Sequence, residues 1–451
     1  MYDLSSKFNT FYKDHVVLSK DETKRLRELK DLNIERLKSG LSDYNEENGT
    51  NYKIVDYVVQ GSVAMSTITQ NDKKDYDIDV AIIFDKDNLP DGTTATKNII
   101  VDALKRKCGQ FKAEPEFKTN CVRLKYAEGY HVDFAIYRRT KNSDDEYEYE
   151  HCGSEWRPRD PRAITRWFRD ENKKKDYKLR KVVRLLKMFC KSRDYWIMPG
   201  GLVQTVLCSE KFKSHDRLDE MFYETIKAIK DRLLENKEVY NPVDDSQSLL
   251  LIQKDDIRME NLCNRLDTYL DKLSILFEED CTEEKAMEAW KEFFNHSFWS
   301  NQVVEEKASS TNRSVSQYYY DTEEYIDDIV PVELKYKLHI DCEVTDERSR
   351  TIRKLRNMLL RGETLTIGKK LKFYIDYTNV PRPFEVFWKV RNCGKIAEDK
   401  DCIRGQIFKN VNNQEINNES TDFEGPHYVE CFIIKNGVCV AKDRINVPIK
   451  N

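Results

Sequence analysis

Asp77 and Asp79 stand two residues apart in Tyr76-Asp-Ile-Asp-Val80, just ahead of the apolar run Val80–Phe84. On a strand, that spacing turns both carboxylates to one face. Side by side they repel, and a cation between them removes the cost. Two divalent ions roughly 3.5–4 Å apart are the usual device for in-line displacement at phosphorus. A third acid is expected at Asp133, in Tyr130-His-Val-Asp-Phe-Ala-Ile-Tyr137, where apolar residues alternate as on a strand. Taken alone, Asp133 reads equally well as a strand-edge salt-bridge partner.

Upstream lies Gln60-Gly61-Ser62. Gly61 lets the backbone approach a phosphate closely. The amides around Ser62, with its hydroxyl, suit phosphate oxygens at the start of the next helix. The plainer reading is an ordinary N-cap serine. An Asp-x-Asp pair in an acidic chain is a weak signal. Strand, Gly-Ser turn, helix, paired aspartates on a strand and a lone aspartate on a later strand form, in that order, a specific one. Asp72 and Asp75, in the insertion before the pair, read as surface charges.

Further on, Arg180, Arg184, Lys187 and Lys191 recur at helical spacing, opposite Val182, Val183, Leu186, Phe189 and Cys190. Such a stripe is either a solvated face or one wall of a triphosphate pocket.

The elements that must hold these residues follow from periodicity and turn chemistry. Ser19-Lys-Asp-Glu22 reads as a capping box opening a helix that ends at Gly40, with a turn at Asn48-Gly49. Ile54–Val59 reads as a strand and Thr96–Lys107 as a helix. Phe117–Tyr126 and Gly129–Tyr137 read as strands about Glu128-Gly129. From Pro161 the pattern is helical over Ala163–Asp170, Lys178–Arg193, Leu202–Cys208, Leu218–Asn236, Leu249–Phe277 and Thr282–Asn295, broken at Asn241-Pro242. The polar stretch 308–316 reads as a linker. Beyond it, Lys335–Val344, Lys370–Tyr377, Phe384–Val390 and Tyr428–Ile434 read as strands, with a hairpin at Asn436-Gly437. The expected organisation is a catalytic lobe at 1–160, a helical lobe at 161–305, a linker at 306–325 and a β-rich module at 326–451, most simply a small sandwich.

Composition narrows the field. The 451 residues include 6 Trp, 20 Phe and 24 Tyr, enough for several cores. The net charge of −4 excludes a generally basic nucleic-acid binder, so any phosphate contact must be local. The 12 cysteines form no CxxC pair, and no histidine falls at zinc-ligand spacing with them, which is the usage expected of free thiols in a cytoplasmic protein. No apolar window approaches roughly 18 residues and the first residues lack an apolar signal core, so no membrane association is expected.

Gln-Gly-Ser-x-x-x-x-Thr, then Tyr-Asp-Ile-Asp-Val and Val-Asp-Phe, resembles the nucleotidyltransferase core of the bacterial cGAS/DncV-like enzymes (CD-NTases), of the polymerase-β-like superfamily. The resemblance covers roughly residues 1–300 and extends to Trp156-x-x-x-Asp160-Pro161, Leu179–Lys187 and Asn241-Pro242-Val-Asp244. The β module, with Trp388-x-Val-x-Asn392-x-Gly394, Arg404-Gly405 and Gly425-x-His427-Tyr-Val-Glu-Cys, is similar to the C-terminal sensor domain of some members. What the resemblance implies is an α+β fold with a polymerase-β-like sheet, a helical second lobe and a C-terminal all-β sandwich. It implies Asp77, Asp79 and Asp133 as catalytic, metal-holding acids, with Mg²⁺ or Mn²⁺ as the cofactor. Gln60, Gly61, Ser62 and Lys187 are the implied nucleotide-binding residues, Lys187 steadying the donor triphosphate. The implied activity is synthesis of a cyclic oligonucleotide messenger from ATP, GTP or other NTPs in anti-phage defence. The product would reach a separate effector protein, and an unidentified ligand or protein would bind the C-terminal module. Family members often place a serine after the proline that follows the Lys187 helix, where this chain has Pro199-Gly200-Gly201. Two other readings stand beside this one: a linear transferase acting on RNA, a protein or a small molecule, and a catalytically weak nucleotide sensor. Trp388, Asn392, Arg404 and His427 read either as a ligand pocket or as core and turn residues.

Overall fold

The computed structural model describes residues 1–71, 75–108, 114–300, 322–346, 351–400, 402–411 and 414–450. Asp72 and the 308–316 stretch lie outside them. The chain begins with α1 (Ser5–Phe11), followed by α2 (Lys20–Asn48). The Ser19 hydroxyl caps α2 by accepting from the Glu22 amide at 3.2 Å. The reciprocal half of the expected box is missing, because the Glu22 carboxylate takes the Tyr130 hydroxyl instead. Gly40 does not end the helix. It lies inside α2, where a Cβ would stand 1.9 Å from the Ala103 carbonyl, so glycine permits close helix packing. The helix stops at Gly49, with φ +64°.

The first lobe then runs through β1 (Ile54–Gln60), α3 (Gly61–Ala64), β2 (Tyr76–Asp85), α4 (Thr93–Lys107), β3 (Glu116–Phe117), β4 (Val122–Lys125), β5 (Tyr130–Lys141), β6 (Tyr147–Cys152) and β7 (Trp156–Pro158). The sheet order is β1-β2-β5-β4-β3, with β6 paired to β5 and β7 to β6. β2 and β5 are parallel, and the register sets Asp79 opposite Asp133. In β2, Ile78, Val80, Ile82 and Phe84 sink into the core they share with α2 and α4. The other face starts with Asp77 and Asp79, then turns apolar at Ala81 and Ile83. The strand is thus buried on both faces only past its first residues, and the open end carries the acids.

Six helices build the second lobe: α5 (Ala163–Lys174), α6 (Leu179–Lys191), α7 (Gly201–Lys211), α8 (Leu218–Glu235), α9 (Gln253–Lys272) and α10 (Glu283–Phe294). A short hairpin of β8 (Tyr240–Asn241) and β9 (Asp244–Ser248) follows Glu235 and accounts for the break at Asn241-Pro242. Its core is rich in aromatic contacts, such as Phe189 on Phe293 at 4.2 Å. Leu4, Phe8 and Phe11, at the start of the chain, belong to this core, not to that of the first lobe.

The last module comprises β10 (Leu338–Asp346), β11 (Ile352–Lys354), α11 (Leu355–Leu360), β12 (Lys369–Thr378), β13 (Glu385–Arg391), α12 (Lys395–Asp399), β14 (Arg404–Phe408), β15 (Ile416–Ser420), β16 (Gly425–Lys435) and β17 (Val438–Ile449). Two four-stranded antiparallel sheets, β11-β10-β12-β15 and β14-β13-β16-β17, share one core. Asn436 (φ +49°) and Gly437 (φ +70°) make the predicted two-residue hairpin between β16 and β17. Trp388 is fully buried core, while Asn392, Arg404 and His427 line a cavity of about 90 Å³ at one end of the sandwich.

Candidate active site

Gly61 opens α3 with φ +64°, directly beside the end of β2. A Cβ there would stand 2.1 Å from Asp79 Oδ2, so only glycine brings the turn this close to the acid. Ser62 follows on the same short helix and is half-buried. Gln60 pairs with Asp79 in the β1–β2 ladder, but its side-chain amide donates to the Pro161 carbonyl at 2.5 Å. Gln60 therefore fastens the turn to the helical lobe.

Asp77 and Asp79 share the open face of β2, and among the described residues neither makes a side-chain hydrogen bond or ion pair. Burial, with the charges of Asp77 and Asp133 alongside, pushes the Asp79 carboxyl up to about 7. Asp133 is treated differently. Arg123 lies opposite it across the β4–β5 hairpin and grips both carboxylate oxygens, Nε to Oδ1 at 2.7 Å and Nη2 to Oδ2 at 2.5 Å. The three strand positions are brought together, yet the carboxylates do not converge. Among the described residues no three His, Cys, Asp or Glu side chains are gathered as a metal cage. Asp77 and Asp79 suit a hard divalent cation: both are oxygen donors, both lack a partner, and Asp79 is destabilised as an anion by its surroundings. Asp133 is committed to Arg123 in this arrangement.

The basic stripe of α6 is not a solvated face. Arg180, Arg184 and Lys187 are buried, and only Lys191 is exposed. They grip the three residues that follow α3 one after another. Arg180 Nε donates to the Met65 carbonyl at 3.0 Å, Arg184 Nε to the Ser66 carbonyl at 2.9 Å and Lys187 Nζ to Thr67 Oγ1 at 2.8 Å. Burial, with Lys191 nearby, brings the Lys187 ammonium down to about 7, Asp77 working the other way. Gly201, at the start of α7, fits over this lysine: a Cβ there would lie 3.3 Å from its Cε. Gly200, directly after Pro199, has nothing within 4 Å of a Cβ; it is Gly201 that makes room for Lys187.

Arg123 was not singled out from sequence. Its signal was present, since the turn at Glu128-Gly129 folds residue 123 onto residue 133.

Residues 55–137 match the family model for the cyclic GMP-AMP synthase DncV-like nucleotidyltransferase domain. Residues 320–450 match that for the adenylyl/guanylyl and SMODS C-terminal sensor domain. A cyclic GMP-AMP synthase of Escherichia albertii is 24% identical over 418 residues, covering 88% of this chain and 85% of that one. Vibrio cholerae DncV, a cyclic AMP-GMP synthase solved with the linear intermediate 5′ pppA(3′,5′)pG, is similar in fold. Its TM-score is 0.55 at 16% identity, over 66% of this chain and 97% of the other. Escherichia coli DncV with 3′-deoxy GTP gives 0.53 at 18% identity, over 65% of this chain and 97% of the other.

Proposed function

We propose that this chain, which belongs to the bacterial cGAS/DncV-like nucleotidyltransferases with a C-terminal sensor domain, joins NTPs into a cyclic oligonucleotide signal for anti-phage defence. The observation that supports this most is the packing of the Gly61 turn against Asp79, itself opposite Asp133 on the neighbouring strand. It sets a positive-φ glycine turn against Asp79, which has no side-chain ion pair among the described residues.

In this reading the donor triphosphate lies on the Gly61-Ser62 turn, and Lys187 supplies positive charge from beneath through the Thr67 side. Asp77 and Asp79 would hold Mg²⁺ or Mn²⁺. A cation held there would supply positive charge for the triphosphate and the departing pyrophosphate. Asp133 serves the acceptor side, as proton acceptor for the ribose hydroxyl or as a third metal-holding carboxylate. The acceptor oxygen bonds to the α-phosphorus as the bond to pyrophosphate breaks. The same site then closes the ring on the linear intermediate. Gln60 acts by fixing the turn.

Incubation with four labelled NTPs and Mg²⁺, followed by phosphatase treatment and mass spectrometry, tests the reading. A phosphatase-resistant cyclic product made from NTPs alone, and lost in Asp79→Asn, is expected. Product formed only when RNA, protein or a small acceptor is added would assign a linear transferase. Nucleotide binding with no turnover would assign a sensor.

A further inference from the structure

The stretch from Thr322 to Asp328, ahead of β10, is a strap held from two sides. On the sandwich side, Gln406 Nε2 donates to the Thr322 carbonyl at 2.9 Å and the Glu324 amide donates to the Gly405 carbonyl at 2.9 Å. Glu323 receives Lys389 Nζ at 2.7 Å and the Tyr428 hydroxyl at 2.6 Å. Gly405 has φ +115°, and a Cβ there would meet Glu323 Cα at 3.0 Å, so the sandwich is shaped to the strap.

On the catalytic side, Arg27 Nη2 donates to Asp328 Oδ2 at 3.1 Å, Arg162 Nε to the Asp327 carbonyl at 3.1 Å and Arg169 Nε to Glu324 Oε2 at 2.9 Å. Arg180 Nη1 donates to Thr322 Oγ1 at 2.9 Å. That same guanidinium holds the Met65 carbonyl through Nε, at the end of the Gly61-Ser62 turn. A small cavity of about 20 Å³ is walled jointly by Ala64, Met65, Arg180, Glu324 and Tyr325, so strap and turn meet back to back. A planar guanidinium bonded through two of its nitrogens is fixed in direction, and loss of one acceptor loosens its aim at the other.

We propose that Arg180 is a positioning residue for the Gly61-Ser62 turn, and that the strap makes its grip depend on the C-terminal sandwich. The inference rests on the reading of that turn as the triphosphate site. The route has few parts. Tyr428 lines the sandwich cavity and bonds Glu323, Glu323 precedes Glu324 and follows Thr322, and Thr322 buttresses Arg180 against Met65. The sandwich thereby supports the turn, and disturbing the strap weakens triphosphate binding without touching the acids.

The test is Thr322→Val in the full chain, which removes one hydroxyl acceptor and keeps the shape. The KM for NTP is expected to rise roughly 3–10-fold, the net range of one ordinary hydrogen bond, with kcat within about twofold. Arg180→Lys keeps the charge but cannot make both bonds, and is expected to raise KM at least as much. The unfolding free energy of Thr322→Val, read by thermal melting, should fall by no more than the roughly 1 kcal/mol of one lost hydrogen bond. A merely structural contact would instead lower melting temperature and kcat together and leave KM alone. Calorimetry with a non-hydrolysable ATP analogue separates the two levels. A parent chain that binds none defeats the triphosphate reading itself. A parent that binds, with Thr322→Val binding and turning over identically, overturns only the role of the strap.

Discussion

The acidic edge of β2 and the seam along Thr322–Asp328 both bury charge, and they treat it in opposite ways. In the seam three cations meet anions: Arg27 with Asp328 at 3.1 Å, Arg169 with Glu324 at 2.9 Å and Lys389 with Glu323 at 2.7 Å. Arg162, beneath it, pairs with Asp56 at 2.9 Å. At the acidic edge, Asp77 and Asp79 have no such partner among the described residues, and the buried Lys187 faces a neutral hydroxyl. Paired buried charge is costly to break and holds surfaces in place. Unpaired buried charge is costly to keep, and marks a place where the counter-charge arrives with a ligand. The contrast separates the working edge of the molecule from its scaffold.

The largest effect expected from breaking the contrast is at Asp79. Asp79→Asn should cost about a thousandfold or more in product formation, as expected when charge stabilisation at a phosphoryl centre is lost. Removing one of the crowded acids should leave the melting temperature unchanged or raised, as a melting curve on the same sample would show. Arg162→Met should do the reverse. Arg162 is 1% exposed, and its loss strands Asp56, at about 3–5 kcal/mol of stability by denaturant unfolding. Turnover per folded molecule should hold within a few-fold.

Lys187→Met sharpens the same point. Nucleotide affinity should fall about tenfold in calorimetry, the order of one charge-assisted contact. The folded lysine titrates near 7, whereas an unfolded one titrates near 10.5. The unfolded chain therefore binds more protons between those values, and stability contributed by this site climbs as pH rises across that window. The variant should lack that climb in melting curves taken from pH 7 to 10. The smallest effect is at Arg123. Arg123→Gln turns Asp133 from a paired acid into an unpaired one. It should lower unfolding free energy by about 1–2 kcal/mol without divalent metal, read by denaturant unfolding, and Mn²⁺ should recover part of that loss.

Much of this site was legible in the residues. The Asp-x-Asp spacing placed both acids on one face because a strand repeats every two residues, and the open end of β2 keeps that face polar. The Asn436-Gly437 turn was equally local, since both residues adopt positive φ. What depended on distant parts of the chain was misread or missed. Gly40 looked like a helix end, but it is a packing site whose reason is Ala103 on another helix. The basic stripe of α6 left two readings open because its partners, Met65 to Thr67, lie more than a hundred residues earlier. Gln60 carried the family's motif, while its side chain answers to Pro161 in the next lobe.

The central claim is that the Asp77–Asp79 edge is held open for a cation and a triphosphate. The direct measurement is the melting temperature of the parent and of Asp79→Asn, with and without Mn²⁺ plus a non-hydrolysable ATP analogue. The parent should gain the stabilisation of a saturated site, roughly 2.7 kcal/mol at a hundred times the dissociation constant. Asp79→Asn should start at or above the parent and gain little. Equal gains in both proteins, or a variant that starts well below the parent, would contradict the account.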